Sequence, residues 1–260
     1  MFANFDFLHV VAGALVGFLV GLTGVGGGSL MTPILVLLFG VSPTTAVGTD
    51  LLFASTTKIA GSSIHGFRDS VDWKVVRRLA SGSVPASLLT LVILSLIGHP
   101  PNPAVSKTLL TVLGVMLLLT SVATLFQKRL VAFAHGRDAV GEQMALWPTV
   151  ALGAVLGAAV TLSSVGAGAI GVTVLLMLYP GLRLAKIVGS DIAHAVPLTM
   201  IAGFGHWYIG DVHVALLLNL LVGSIPAVIV GSLLSSHAPD RLLRPALAIV
   251  LFVSGIKLLT

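Results

Sequence analysis

Gly24-Val25-Gly26-Gly27-Gly28-Ser29 lies in the middle of an apolar run that extends from about Leu8 to Phe39, and a degraded copy recurs at Ser164-Val165-Gly166-Ala167-Gly168-Ala169. Glycine inside a helix costs about 1 kcal/mol relative to alanine, so several together predict that the helix breaks. Broken backbone at membrane depth leaves N–H and C=O groups unpaired, which is tolerated only against protein or a watered cavity. Both stretches are therefore expected to wall a substrate site.

Composition sets the setting. The chain has 260 residues, 56% hydrophobic and only 9% charged, against about 25% charged in a soluble domain. Apolar runs of membrane length follow one another almost without a gap, which predicts an all-α polytopic membrane protein. The short alternating segments of a β-barrel are missing. The net charge of +5 is assigned to cytoplasmic loops rather than to nucleic acid. There is no cysteine, which removes disulfides and thiolate metal sites; no metal or other cofactor is expected. No Lys or Arg precedes the first apolar run, so it lacks the basic start of a cleavable signal peptide.

The first run, 8–39, would be about 48 Å long as one helix, against a hydrocarbon core of roughly 30 Å. The economical reading is a re-entrant pair of half-helices meeting at the glycines. A long tilted helix is the alternative. Helices follow at 44–66, 75–98 and 104–126, and a polar linker at 128–144 divides the chain. The second half repeats the first. Val47-Gly48-Thr49-Asp50 matches Val188-Gly189-Ser190-Asp191, Gly82-Ser83-Val84-Pro85-Ala86 matches Gly223-Ser224-Ile225-Pro226-Ala227, and His65 matches His206, all at an offset of 141 residues. The glycine clusters match at 140. The expected halves are 1–127 and 145–260, the latter with a hairpin at 146–179 and helices at 182–208, 212–235 and 241–259.

Charge tests the hairpins. If both return to their own side, leaving six full passes, Arg68, Lys74, Arg77, Arg78, Lys128, Arg129, Arg137, Arg183, Lys186, Arg241 and Arg244 share one side, and only Lys107 and Lys257 the other. If each run crosses instead, the basic residues divide eight to five. The positive-inside rule prefers the first arrangement. It puts both termini outside the cytoplasm, in a plasma or inner membrane, and makes the halves inverted repeats with the substrate at their interface.

Asp50, Lys58 and Asp191 lie inside expected membrane helices, where each ionised group costs about 2.5–3.5 kcal/mol. They are expected either to pair internally or to line a cavity for a charged solute or a proton. Asp50 and Lys58 are eight residues apart, two turns along roughly one face, too far for a direct bond. Lys58 has no counterpart, because Thr199 takes its place in the second half. One unmatched buried cation suggests an anionic substrate. Half-helix N-termini, with their positive dipole ends and free N–H groups, suit sulfite, sulfonate or carboxylate oxygens. That makes Gly26, Gly27, Gly28, Gly166 and Gly168 candidate binding residues, with hydroxyls from Ser29, Thr49, Ser163, Ser164 and Ser190. Gly17, Gly21, Gly153 and Gly157 read better as small-residue helix packing. His194 is three residues past Asp191 and could share its proton; His65 and His206 read as interfacial. Pro85 and Pro226 each free a carbonyl and favour a kink, as hinges or as static bends. Trp73, Trp147, Trp207 and Tyr208 suit the membrane interface. Small-residue motifs are compatible with a homodimer.

Gly17-Phe18-Leu19-Val20-Gly21-Leu22-Thr23-Gly24-Val25-Gly26-Gly27-Gly28-Ser29-Leu30-Met31-Thr32-Pro33 resembles the signature of the TauE/SafE sulfite-exporter-like permeases, and Ala46-Val47-Gly48-Thr49 that family's second motif. The resemblance covers essentially the whole chain. It implies a permease for sulfur-containing or carboxylate anions such as sulfite, sulfoacetate or sulfolactate. Asp50 and Asp191 stand where the family often has a neutral residue, which favours coupling to protons or a cation over a simple pore. The competing functions are an ion channel, and an intramembrane aspartyl enzyme built on Asp50 and Asp191.

Overall fold

The computed structural model describes residues 6–23, 30–65, 71–97, 103–135, 145–235 and 240–260. Within them the chain forms ten α-helices and no strand. They are α1 (Phe7–Thr23), α2 (Met31–Leu37), α3 (Pro43–His65), α4 (Trp73–Ile97), α5 (Pro103–His135), α6 (Leu146–Ser163), α7 (Ala169–Leu178), α8 (Leu184–Ile209), α9 (Val214–Leu234) and α10 (Asp240–Leu259). Five of these are long and apolar enough to cross a membrane: α4, α6, α8, α9 and residues 103–127 of α5.

The burial pattern is that of a protein solvated by lipid. On α4, Leu88, Leu89, Val92, Ile93 and Leu96 are exposed, while Ser83 and Ser87 are fully buried. On α9, Leu218, Val222, Ile229 and Leu233 are exposed, while Asn219, Ser224 and Ser232 are buried. Every residue of α3 from Ala46 to Ser55 is buried, which marks α3 as a core helix wrapped on all sides. α3 packs on α8 and α9, and α8 packs on α3 and α4. These two central helices carry the ionisable groups.

Glycine sets how closely the outer helices approach. A β-carbon on Gly17 would lie 2.6 Å from the Ser224 carbonyl oxygen, and one on Gly157 2.7 Å from Ser83 Cα. Backbone touches backbone along both seams, as the small-residue spacing predicts. The partners of Gly13, Gly17 and Gly21 are Leu220, Ser224 and Val228, and those of Gly153 and Gly157 are Leu79 and Ser83. The numbers rise together, so α1 runs parallel to α9, and α6 parallel to α4. Thr57 meets Ser224, and Gly61 faces Val228 and Ser232, so α3 also runs parallel to α9. Ser83 meets His194 and Leu91 meets Gly205, so α4 runs parallel to α8. Gly48 faces His206 while Gly203 faces Leu52, so α3 and α8 are antiparallel.

The structure departs from the sequence expectations in several places. The two interrupted segments have unequal arms: 17 and 7 residues in the first, 18 and 10 in the second. α1 and α6 are each about 26 Å long, so in both segments the longer arm precedes the interruption. α5 does not stop at Phe126 but runs to His135. No Gly or Pro interrupts the sequence until Gly136, so nothing stops the helix where its apolar face ends. His206, in the last turn of α8, is fully buried against protein, with Nε2 2.9 Å from the Thr161 carbonyl oxygen and Nδ1 3.4 Å from Asp211 Oδ2. Trp73, Trp147, Trp207 and Tyr208 are all exposed.

Candidate functional site

The second break, 164–168, is built by its backbone. Ser164 ends α6 in the left-handed region at φ 58°, its N–H bonded to the Val160 carbonyl at 2.7 Å. Gly166 and Gly168 follow at φ 123° and 127°, values open in practice only to glycine. A serine at positive φ is uncommon and costs about 1–2 kcal/mol; such strain collects at functional sites. α7 starts directly after Gly168. No carbonyl within α7 can satisfy its first N–H groups, those of Ala169 and Ile170. The first break, with Gly26, Gly27, Gly28 and Ser29, lies outside the described residues.

Two aspartates stand at equivalent places on the central helices, but their surroundings differ. Asp50 is fully buried. Its Oδ2 accepts the Thr32 backbone N–H at 3.1 Å and also the Thr32 hydroxyl. Thr32 is the second residue of α2, so the carboxylate fills the positive end of that short helix. Asp50 Oδ1 has no partner among the described residues. Ser164, carried by the second half, brings its buried hydroxyl beside this carboxylate, outside hydrogen-bonding geometry to any described residue.

Asp191 is also buried, and no hydrogen bond to its Oδ1 is found among the described residues. It lies against the first turn of α7. A β-carbon on Gly171 would overlap Asp191 Oδ1 and come within 3.3 Å of its Cγ. Thr173, on the same short helix, has an unpartnered buried hydroxyl. His194, one turn along α8, bonds Ser83 Oγ through Nε2 at 2.7 Å, and its Nδ1 is unpartnered.

Lys58 joins the two sets. It interacts electrostatically with Asp191, Asp50 and His194, but no described carboxylate is within ion-pairing distance of it. Protein encloses it, yet it keeps part of its accessible surface. The structure thus gathers Lys58, Asp50, Asp191, His194, Ser164 and the 164–168 break around one region between the halves. Unpartnered polar atoms that deep are costly unless something else meets them. Chemically, the cluster offers one cation and the Ser164 hydroxyl to an oxyanion, and carboxylate and imidazole atoms to a proton.

Other candidates sit elsewhere. Thr49 Oγ1 accepts the His213 backbone N–H at 3.2 Å, and Ser190 Oγ accepts that of Asp72 at 2.7 Å while donating to the Lys186 carbonyl. His213 and Asp72 immediately precede α9 and α4, so each hydroxyl holds the start of a helix from the opposite half. The Ser163 hydroxyl is spent on the Ala159 carbonyl and the turn at Val165. Pro85 and Pro226 lie on the exposed faces of α4 and α9, two residues past Ser83 and Ser224. The His65 side chain lies outside the described residues. Sequence reasoning missed Thr32 and Ser83 as polar partners, and Thr173 as a buried hydroxyl. Ser83 had a signal, since the Gly-Ser-x-Pro-Ala motif recurs; Thr32 and Thr173 had none of their own.

Comparison with known proteins agrees with this architecture. The model of the sulfite exporter TauE/SafE family matches residues 9–258. The probable membrane transporter protein YjnA of Bacillus subtilis (strain 168) is 37% identical over 253 residues, covering 96% of this chain and 98% of that one. The probable membrane transporter protein YdhB of the same organism is 26% identical over 249 residues, 94% and 96% of the two chains. A probable membrane transporter protein of Haemophilus influenzae is 23% identical over 98% of each chain. No solved structure matches. A lipid-solvated helical bundle, buried ionisable groups on its two central helices, and a family match over nearly its whole length lead to one assignment: the chain belongs to the sulfite exporter TauE/SafE family of membrane transporters.

Proposed function

We propose that the chain is a secondary transporter of small sulfur-containing anions such as sulfite or short sulfonates, coupled to protons or another cation. It would sit in an inner membrane with both termini outside the cytoplasm. The observation that carries this reading is Lys58, one cation set deep in the protein near Asp50, Asp191 and His194, with no described carboxylate within ion-pairing distance of it. An anion held there would interact with Lys58, the Ser164 hydroxyl and the first N–H groups of α7, those of Ala169 and Ile170, with residues 26–29 contributing from the other half. Asp50, Asp191, His194, Pro85 and Pro226 together serve coupling and gating, the first three as ionisable groups and the prolines as bends. The family's name, sulfite exporter, supports a sulfur oxyanion as substrate.

Helix direction supports the inverted arrangement. α1, α3 and α9 run one way; α4, α6 and α8 run the other. Each helix and its counterpart at the 140–141 offset therefore point oppositely: α1 and α6, α3 and α8, α9 and α4. Repeats at 1–127 and 145–260 related in this way would place the substrate at their interface. The test is flux of sulfite and short sulfonates in liposomes containing the purified protein. The expected result is saturable uptake, reduced at least tenfold in Lys58→Gln and partly retained in Lys58→Arg. Absence of flux for every sulfur oxyanion and carboxylate tried would overturn the proposal. Normal transport by Lys58→Gln would remove Lys58 from the site.

A further inference from the structure

We infer that the two equivalent aspartates divide the work: Asp191 carries the coupling proton and Asp50 is a fixed latch. The inference rests on the transporter reading above. The sequence treats the two alike, since each follows a Val-Gly-Thr/Ser triplet at the same place in its repeat. The structure does not. Asp50 Oδ2 is held by both the backbone and the hydroxyl of Thr32, so its charge is already matched to the end of α2. Ionised Asp50 keeps α2 against α3, and protonation would cost that joint.

Asp191 has no such partner. Thr32 corresponds to Val172 at the offset of the glycine clusters, and a valine cannot donate from its side chain. Asp191 Oδ1 instead lies against Gly171 in the first turn of the ten-residue α7, unbonded and buried. The charged and titratable groups around it are few. From α3 it sees Lys58, which also interacts with Asp50. On its own helix it has His194, whose Nε2 is engaged by Ser83 of α4. α6 and α7 bring no Asp, Glu, Lys, Arg or His to it. α4 carries Lys74, Arg77 and Arg78 near its start.

This geometry couples the two charges. Ionised Asp191 and a substrate anion compete for the same positive features, the Lys58 ammonium and the N-terminal turn of α7. A proton taken from water onto Asp191 Oδ1 removes the competing charge, and the anion can then enter. Anion and proton cross together, and on the far side the anion leaves and Asp191 returns its proton to water. One negative and one positive charge move per cycle, so transport is electroneutral.

The test uses the full-length protein in liposomes with a short alkane sulfonate, whose charge does not vary over the working pH range. A unit pH gradient is expected to drive up to about tenfold accumulation at one proton per anion, with acidification reported by an entrapped pH dye. Asp191→Asn is expected to keep sulfonate counterflow exchange while losing both accumulation and acidification. Asp50→Asn is expected to lower the yield and melting temperature of the protein, with the folded fraction still driven by the proton gradient. Wild-type uptake without proton movement, uptake driven by sodium instead, or gradient-driven accumulation by Asp191→Asn would overturn the inference and leave the transporter reading standing. If Asp191→Asn is inert in exchange as well, Asp191→Glu decides. Proton-coupled uptake with a shifted pH midpoint supports the inference; an unshifted midpoint refutes it. No sulfonate or sulfite flux by the wild type would overturn the transporter reading itself.

Discussion

Replacing Gly17 by alanine tests the packing that fixes helix direction, and so the site. The added β-carbon would stand 2.5 Å from Ser224 Oγ, 2.6 Å from its carbonyl oxygen and 2.8 Å from its Cα. Ser224 Oγ could rotate away, but the two backbone atoms cannot. Restoring ordinary contact requires the α1/α9 seam to open by roughly 0.5–1 Å, a gap that forfeits a quarter to a half of each close contact. Overpacking of this kind costs about 1–3 kcal/mol, and alanine's helix preference returns about 1 kcal/mol. The net expectation is a loss of up to about 2 kcal/mol in reversible unfolding in mixed micelles, with the two backbone clashes placing it toward the upper end of that range. Gly61→Ala provides the contrast, because its nearest neighbours are flexible side-chain atoms, Val228 Cγ2 at 3.3 Å and Ser232 Oγ at 3.8 Å. That substitution is expected to be neutral or to stabilise by up to about 1 kcal/mol. A Gly17→Ala protein as stable as the wild type, or less stable than wild type by no more than Gly61→Ala, would refute the reasoning.

Other substitutions probe the polar interior. Thr32→Val removes one donor from the Asp50 latch and is expected to cost about 1.5–3 kcal/mol, with Thr32→Ser close to wild type in the same unfolding assay. Ser190→Ala leaves the Asp72 N–H without its acceptor and is expected to cost about 1–3 kcal/mol; Thr49→Val does the same to the His213 N–H. Ser190→Thr should recover most of the loss in thermal melts. Gly171→Ala pushes on a side-chain oxygen rather than on backbone. It is expected to change stability by less than about 1 kcal/mol yet to lower anion uptake at least tenfold in liposomes, because it displaces the Asp191 carboxylate.

The general plan of the fold was legible because it rests on local chemistry and on repetition. Apolar runs give lipid-facing helices, and glycine at four-residue spacing gives close seams, as at Gly13, Gly17 and Gly21. The burial of Lys58 among ionisable groups could also be anticipated, since a lone cation in an apolar helix must have an environment that tolerates it. The details that separate Asp50 from Asp191 could not. Both follow the same motif, and their difference depends on which residue of a short helix, 18 to 20 positions away in sequence, comes to rest beside them. Thr49 and Ser190 look like binding hydroxyls in sequence because nothing local shows that loops more than 100 residues distant place the N–H groups of His213 and Asp72 on them. The unequal arms were hidden for a similar reason. A glycine cluster shows that a helix stops, while the length of each arm is set by the neighbours it packs on.

The most direct test is where an anion binds. Crystals grown with a bromine-labelled short sulfonate would reveal the ligand by its anomalous signal. The account predicts one peak between the two halves, with the sulfonate oxygens within hydrogen-bonding reach of the Lys58 ammonium and the start of α7. A peak on the lipid-facing surface, or one in the interior with Lys58 directed away from it, would contradict the account.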